Sequence, residues 1–344
     1  MRSFAFEVSL IVIMVLSALC VSLPTVKARD VVPLNWTSPT AQILQSVYMV
    51  SADDGWAVGW HGTIIHWNGT DWSTVTSPTT VNLYSVFMVS ASDGWAVGLD
   101  GTIVRWNGAS WNNVTSLTAH FLESVYMVSA DDGWAVGDQG TIVRWNGASW
   151  SNVTSPTAQI LMSVQMLSAS DGWVVGDHGT IVRWNGASWN NVTSPVTNVI
   201  LSVSMVSASD GWAISGTGTK IRWNGASWSN VTSPATNLLY DVFMISASDG
   251  WAVGSAGTLI RWDGASWTNV TSPTTLGLFS VFMVSASDGW AVGVFGTIIR
   301  WTGTVWVPEF STAILMPLLM TLSLVVVVIT KTVLKKRKTL FSFF

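Results

Sequence analysis

Short apolar runs alternate with clusters of Gly, Ser, Asn and Asp along most of this chain. Residues 83 to 117 show the pattern once. Ser85-Val86-Phe87-Met88-Val89 has the β-branched and aromatic content of a strand, and Ser90-Ala91-Ser92-Asp93-Gly94 reads as a turn. Trp95-Ala96-Val97-Gly98 predicts a second strand, Leu99-Asp100-Gly101 a turn, and Thr102-Ile103-Val104-Arg105-Trp106 a third strand. Asn107-Gly108 is a strong hairpin signal, because both residues tolerate positive φ. Trp111 to Ser116 predicts a fourth strand, and most repeats stop it with a proline such as Pro78, Pro156 or Pro195.

This unit recurs seven times at a fixed period of 39 residues. Its first tryptophan stands at Trp56, Trp95, Trp134, Trp173, Trp212, Trp251 and Trp290. The second column runs from Trp67 to Trp301 and the third from Trp72 to Trp306, in the same steps. Four antiparallel strands per copy and seven unbroken copies predict an all-β, seven-bladed β-propeller of four-stranded blades. A buried tryptophan removes about 150–250 Å² from water, or ~4–6 kcal/mol gross, so the three columns read as packing between blades. The methionine column from Met49 to Met283 reads as core filler. Asn35-Trp36-Thr37-Ser38-Pro39 matches Asn152-Val153-Thr154-Ser155-Pro156. This copy predicts that residues 31–38 close the ring as the outer strand of the last blade, beside Thr297 to Trp301.

The ends read differently from the ring, residues 30–307. Residues 1–29 have the pattern of a signal peptide: Arg2, an apolar run over 8–23, and Val26-Lys27-Ala28, which gives a small residue at a plausible cleavage point. Residues 313–334 read as a transmembrane anchor or sorting helix. The apolar part, Ala313 to Thr330, would span about 27 Å at about 1.5 Å per residue. Lys331, Lys335, Lys336, Arg337 and Lys338 follow it, which predicts a basic cytoplasmic tail over 335–344 and the repeats outside. Cys20 is the only cysteine and lies in the leader, so the ring can hold no disulfide and no thiolate metal site.

Between residues 30 and 310 the chain carries 18 acidic against 7 basic side chains, a formal charge of −11. Such a surface repels nucleic acid. Asn35, Asn68, Asn113, Asn152, Asn191, Asn230 and Asn269 begin Asn-x-Ser/Thr sequons, which predict glycosylation in a cell that glycosylates secreted chains.

No catalytic motif, cofactor motif or metal-ligand cluster is legible. Ser-His-Asp, HExxH and Cys/His arrangements are absent, and the acidic turn lacks the alternating acids of an EF-hand. Glu123 is the only glutamate within the repeats, whereas most glycosidases need two acids. The Arg105, Arg144, Arg183, Arg222, Arg261 and Arg300 column ends the third strand, and aspartates such as Asp93 begin the second. Antiparallel neighbours predict a repeated Asp–Arg ion pair.

Where the copies differ, recognition is expected. The turns between second and third strands vary, and so does the entry into each first strand: Gln45, Tyr84, Glu123, Met162, Leu201, Tyr240 and Phe279. Both sets emerge on one face of a propeller. The candidate binding residues are Trp60, His61, Asp100, Asp138, Asp177, His178 and Phe295, expected around the channel mouth.

The pattern D-G-W-A-V-G-x-x-G-T-I-x-R-W-x-G-x-x-W resembles the repeats of the photosystem II assembly and stability factor family, within the wider BNR/Asp-box-like propellers. The resemblance spans residues 31–306. Trp-Asn-Gly-Ala-Ser-Trp stands where the wider group has an Asp-containing turn, and only Asp263 puts an acid there. The resemblance implies binding of partner proteins through a propeller face. These motifs mark the blade rather than the partner, so a photosynthetic role does not follow. Pro308-Glu309-Phe310, in the linker 308–312, precedes an apolar helix and a basic end; this tail resembles the PEF-type sorting signal of archaeal surface proteins. That likeness implies a sorting transpeptidase, a lipid attachment and an archaeal source. The functional expectation is a non-enzymatic cell-surface propeller that binds a protein or glycan. The alternatives are a passive envelope element and a sialidase-like glycoside hydrolase.

Overall fold

The computed structural model describes residues 38–231 and 237–309. The signal segment, Asn35, Phe310 and the helix expected over 313–334 lie outside the described residues. Among the described residues, no helix is long and apolar enough to cross a membrane.

Seven four-stranded antiparallel sheets form, each drawn from a single repeat with its strands in sequence order. In the second blade the strands are Leu83–Ser90, Asp93–Gly98, Ile103–Trp106 and Trp111–Val114. Their register pairs Val86 with Ala96, Trp95 with Arg105 and Trp106 with Trp111. The first strands of successive blades neighbour one another in a closed cycle, with Leu44–Ser51 beside Leu278–Ser285, so they form the inner wall.

The ring closes differently from the sequence expectation. The place beside the third strand of the last blade is filled by Trp306–Pro308 of the same repeat, with Trp301 opposite Trp306 and Ile299 opposite Pro308. Trp306 holds it there by packing edge-on against Trp251 at 5.2 Å. The N-terminal copy does reach the last blade, but its described part serves as the loop after the fourth strand. A Cβ on Gly296 would lie 2.0 Å from the Thr40 carbonyl oxygen, and a Cβ on Gly62 lies equally close to that of Thr79. Residues 31–37 lie outside the described residues.

One side chain per blade ties each seam near the channel. The Val86 N–H donates to Ser46 Oγ at 3.2 Å, and the same bond recurs from blade to blade. The last seam is closed by Val47 N–H donating to Ser280 Oγ at 3.3 Å. Asp241 replaces serine in this column. Its carboxylate accepts from Val281 N–H at 2.9 Å and from Ser202 Oγ at 2.7 Å, so it clasps two seams. Burial pushes its pKa up, and these hydrogen bonds oppose the shift.

The tryptophan columns fill the space between blades. Trp134 lies 4.8 Å from Trp184 and stands edge-on to Trp189 at 5.2 Å, centroid to centroid. The second-column indoles donate outward to turn carbonyls, as Trp145 Nε1 does to Ala130 O at 3.0 Å. The first- and third-column indole nitrogens are buried without an acceptor among the described residues. Edge-to-face stacking sets their electropositive rims against neighbouring rings, a weaker substitute for a hydrogen bond.

The expected Asp–Arg pairs are present in six blades. Arg105 Nε lies 2.8 Å from Asp93 Oδ1 and Nη2 lies 3.1 Å from Oδ2. In the first blade His66 Nε2 lies 2.8 Å from Asp54 Oδ1 instead. Each guanidinium also lies over two tryptophans; for Arg105 these are Trp95 at 4.8 Å and Trp145 of the next blade at 5.5 Å. About a third of the arginine side chain is exposed, which screens the pair. Arg105→Ala is therefore expected to cost about 1 kcal/mol, through ion pair and cation–π contact together. Arg105→Met, which restores the packing stem, should regain part of that. A thermal midpoint unchanged in Arg105→Ala would show that the pair contributes nothing.

Candidate functional site at the channel mouth

Strand direction decides what faces the mouth. Chain enters each first strand, and turns between second and third strands, at the same end of the blade. The Leu99 N–H donates to Asn82 O at 2.9 Å, joining the two loop sets directly. At this end lies a depression of about 410 Å³ lined by Gln45, Tyr84, Glu123, Met162, Leu201, Tyr240 and Phe279, together with Trp60. The first seven occupy one repeat position, so every blade contributes one side chain. A side chain there follows a buried leucine or isoleucine, such as Leu83 or Ile200, that anchors the strand beneath it.

Of the residues singled out from sequence, Trp60 lines this depression and is 38% exposed. Asp100 and Asp138 lie close enough to act on its wall: Asp100 raises the pKa of Tyr84, and Asp138 that of Glu123. His61, Asp177, His178 and Phe295 sit on equivalent turns of the first, fourth and last blades, outside the lining itself. Phe295 is 69% exposed. His61 Nδ1 lies 2.9 Å from Gln42 Oε1. Asp177 Oδ1 accepts from the His178 N–H at 2.8 Å, and Asp138 Oδ1 accepts from Gln139 N–H in the same way.

These turns share a constraint that sequence variation conceals. Six are single turns of 3-10 helix, and the middle residue of each takes the left-handed conformation, at φ 56° for His61, 55° for Asp100 and 53° for Phe295. That region is unusual for a bulky side chain. The backbone of the varied residue is therefore held by the turn, and the side chain alone differs, from Ala256 to Phe295.

The wall residues carry the distinctive electrostatics. Burial raises Glu123 to about 7, and the nearby Asp138 adds to the shift. Burial also raises Tyr84, assisted by Glu123 and Asp100 and opposed by a hydrogen bond from Asn82. Glu123 thus has an acidic neighbour, Asp138, where the sequence showed no second glutamate. Across the mouth, Tyr240 and Phe279 stack at 5.1 Å with their planes tilted by 51°. Among the described residues, no group of three His, Cys, Asp or Glu is placed to hold a metal ion.

Six of the seven sequon asparagines are described, and all six are exposed. Asn113, Asn152, Asn191, Asn230 and Asn269 lie on fourth strands, at the outer edge of the blades, and Asn68 lies on a turn. Pro308 ends the last strand, and Glu309 N–H donates to Ile298 O at 3.1 Å, so both stand within the last blade.

No family model and no curated protein matches this chain. Solved structures do. A structure of YCF48 bound to D1 peptide aligns with a TM-score of 0.66 at 16% identity, covering 77% of this chain and 93% of that one. YCF48 from Cyanidioschyzon merolae aligns at 0.64 and 15% identity, covering 77% and 97%. The WD40 β-propeller domain of Doa1 aligns at 0.66 and 16% identity, covering 76% and 93%. At these identities the likeness is one of fold: the chain is a β-propeller of the architecture that these proteins share.

Proposed function

We propose that this ring is a non-enzymatic, cell-surface recognition module that holds a polypeptide at its channel-mouth face. The observation that carries the reading is the mouth itself. One side chain from each of seven otherwise near-identical blades converges there, and that position is among the most varied in the repeat. A rigid scaffold with a varied concave centre is the layout of a binding site. The propeller fold fits a protein-binding scaffold, and a YCF48 propeller of this fold is described as bound to a peptide.

The surface location rests on the leader-like residues 1–29 and on the apolar segment and basic tail after residue 312. The acidic ring and the exposed sequons suit the outside of a cell, with glycans covering the open fourth-strand edges. A glycan partner and a sorting transpeptidase acting near Pro308-Glu309-Phe310 belong to the same proposal.

Trp60→Ala tests it. Trp60 belongs to none of the three packing columns, so the thermal midpoint should stay within about 1 kcal/mol of the parent. Capture of envelope polypeptides by the full chain in detergent micelles should fall about tenfold or more, as for a central aromatic anchor. Unchanged capture of an identified partner would place function on another face. Capture of nothing by the parent chain would favour a passive envelope element.

A second reading has one observation behind it. Glu123, held near neutrality beside Asp138, pairs two carboxyls in unequal environments, as glycoside hydrolysis requires. Release of nitrophenol from aryl glycosides by the parent chain, lost in Glu123→Gln, would establish that reading instead.

A further inference from the structure

The mouth face divides by chemistry. Its acids come from consecutive blades: Asp100 from the second, Glu123 and Asp138 from the third, Asp177 from the fourth. Most of its apolar groups come from the rest of the circle, Leu201, Tyr240, Phe279 and Phe295, then Trp60 of the first blade beside Gln45, while Tyr84 and Met162 stand among the acids. Among the described residues, no lysine or arginine compensates the acids. The six arginines are paired with aspartates at the other end of the blades. The remaining cation, Lys220, is fully buried, with Nζ donating to Gly218 O at 2.9 Å.

Resting on the polypeptide reading above, we propose that the mouth selects a segment bearing a lysine or arginine next to an apolar residue. The basic side chain lies against Glu123 and Asp138, and its apolar neighbour lies against Tyr240 and Phe279. A carboxylate withdrawn from water gains more from a cation than one on the open surface does. The exposed face of an aromatic ring also accepts a cation or an apolar group without needing a specific hydrogen bond. An acidic segment meets Asp100, Glu123, Asp138 and Asp177 on one side of the mouth and, among the described residues, finds no exposed lysine or arginine on the other.

The arrangement makes binding sensitive to pH. Burial holds Glu123 at about 7, and the ionisable groups facing it are Tyr84 and Asp138, while Met162 of the next blade brings no charge. Below that value Glu123 is largely protonated and attracts a cation weakly. An arriving cation favours the ionised form and releases the proton. Affinity should therefore rise with pH, by about tenfold between pH 6 and pH 8, and then level off.

The test uses the full chain in detergent micelles and pools of capped nonapeptides with randomised flanks around a fixed centre. The centres are Phe-Lys-Leu, Phe-norleucine-Leu and Phe-Glu-Leu. The lysine pool should be retained at least tenfold better than the norleucine pool, with the pH dependence above, and the glutamate pool should not be retained. Glu123→Gln should remove both the preference and the pH dependence without lowering the thermal midpoint, which at pH 8 should rise because the buried ionised carboxylate no longer costs stability. If Glu123→Gln proves unstable, Asp138→Asn, which keeps the acceptor for the Gln139 N–H, should weaken the preference by itself. Equal retention of lysine and norleucine pools would overturn the charge selection while leaving polypeptide capture standing. Retention of no pool would overturn this inference together with the reading beneath it.

Discussion

Trp134→Ala is expected to destabilise the ring by about 3–5 kcal/mol, the largest effect of any single truncation considered. Trp134 is fully buried in the seam between the third and fourth blades. It packs against Trp184 and Trp189, and the Arg144 guanidinium lies 4.8 Å above it. Removing the indole leaves a cavity that neighbouring strands cannot collapse into, because each is tied into its own sheet and into a closed circle. The indole nitrogen has no acceptor among the described residues, so the loss is one of packing. Trp134→Phe should consequently recover more than half of it. The check is the thermal midpoint of the three proteins beside that of Trp60→Ala. A midpoint lowered less by Trp134→Ala than by Trp60→Ala would contradict the assignment of the columns to structure.

Gly98→Ala should follow, at about 3 kcal/mol. The backbone of Gly98 is extended, at φ −173°, which any residue adopts, so the difficulty is space. A Cβ there would lie 2.0 Å from Asn82 O and 2.9 Å from the Leu83 Cα. Those are main-chain atoms, and Asn82 O is already held at 2.9 Å by the Leu99 N–H. Gly94→Ala provides the contrast. Its Cβ would meet the Met88 sulfur at 2.2 Å, but a thioether can swing aside and a backbone carbonyl cannot. The midpoint should therefore fall clearly further for Gly98→Ala than for Gly94→Ala, and the reverse order would refute this account. The fifth blade shows how a side chain is tolerated: it carries Ser215 at this position, and its turn is not the 3-10 turn of the other six blades. Transplanting that turn as G98S, L99G and D100T together should restore most of the loss.

Much of this architecture was legible along the chain. Strands and turns are local, and their signals were strong: β-branched runs for the strands, and Asn-Gly at the hairpin, where Gly108 indeed has φ 89°. Seven unbroken copies then set the number of blades, and the antiparallel order of strands alone places Asp93 beside Arg105. The closing strand was misread because two segments matched a fourth strand. Only the packed ring decides between them, by seating Trp306 against Trp251 beside the third strand, while the described end of the N-terminal copy, Ser38-Pro39, serves as a loop.

The mouth shows the same division. Variation marked both loop sets, yet the candidate residues were drawn from the turns, where side chains differ most visibly. The lining comes mainly from the other set, because seven equivalent strand entries meet at the centre of the ring while the turns stand around it. The approach of Asp138 to Glu123, and the burial that holds Glu123 near neutrality, arise between a strand and a turn of one blade that are fifteen residues apart. Sequence by itself determined the blades, their number and which positions are free to vary, since these follow from short-range periodicity and turn chemistry. Tertiary structure alone decided which free positions converge, because convergence is a property of the closed circle and no single repeat contains it.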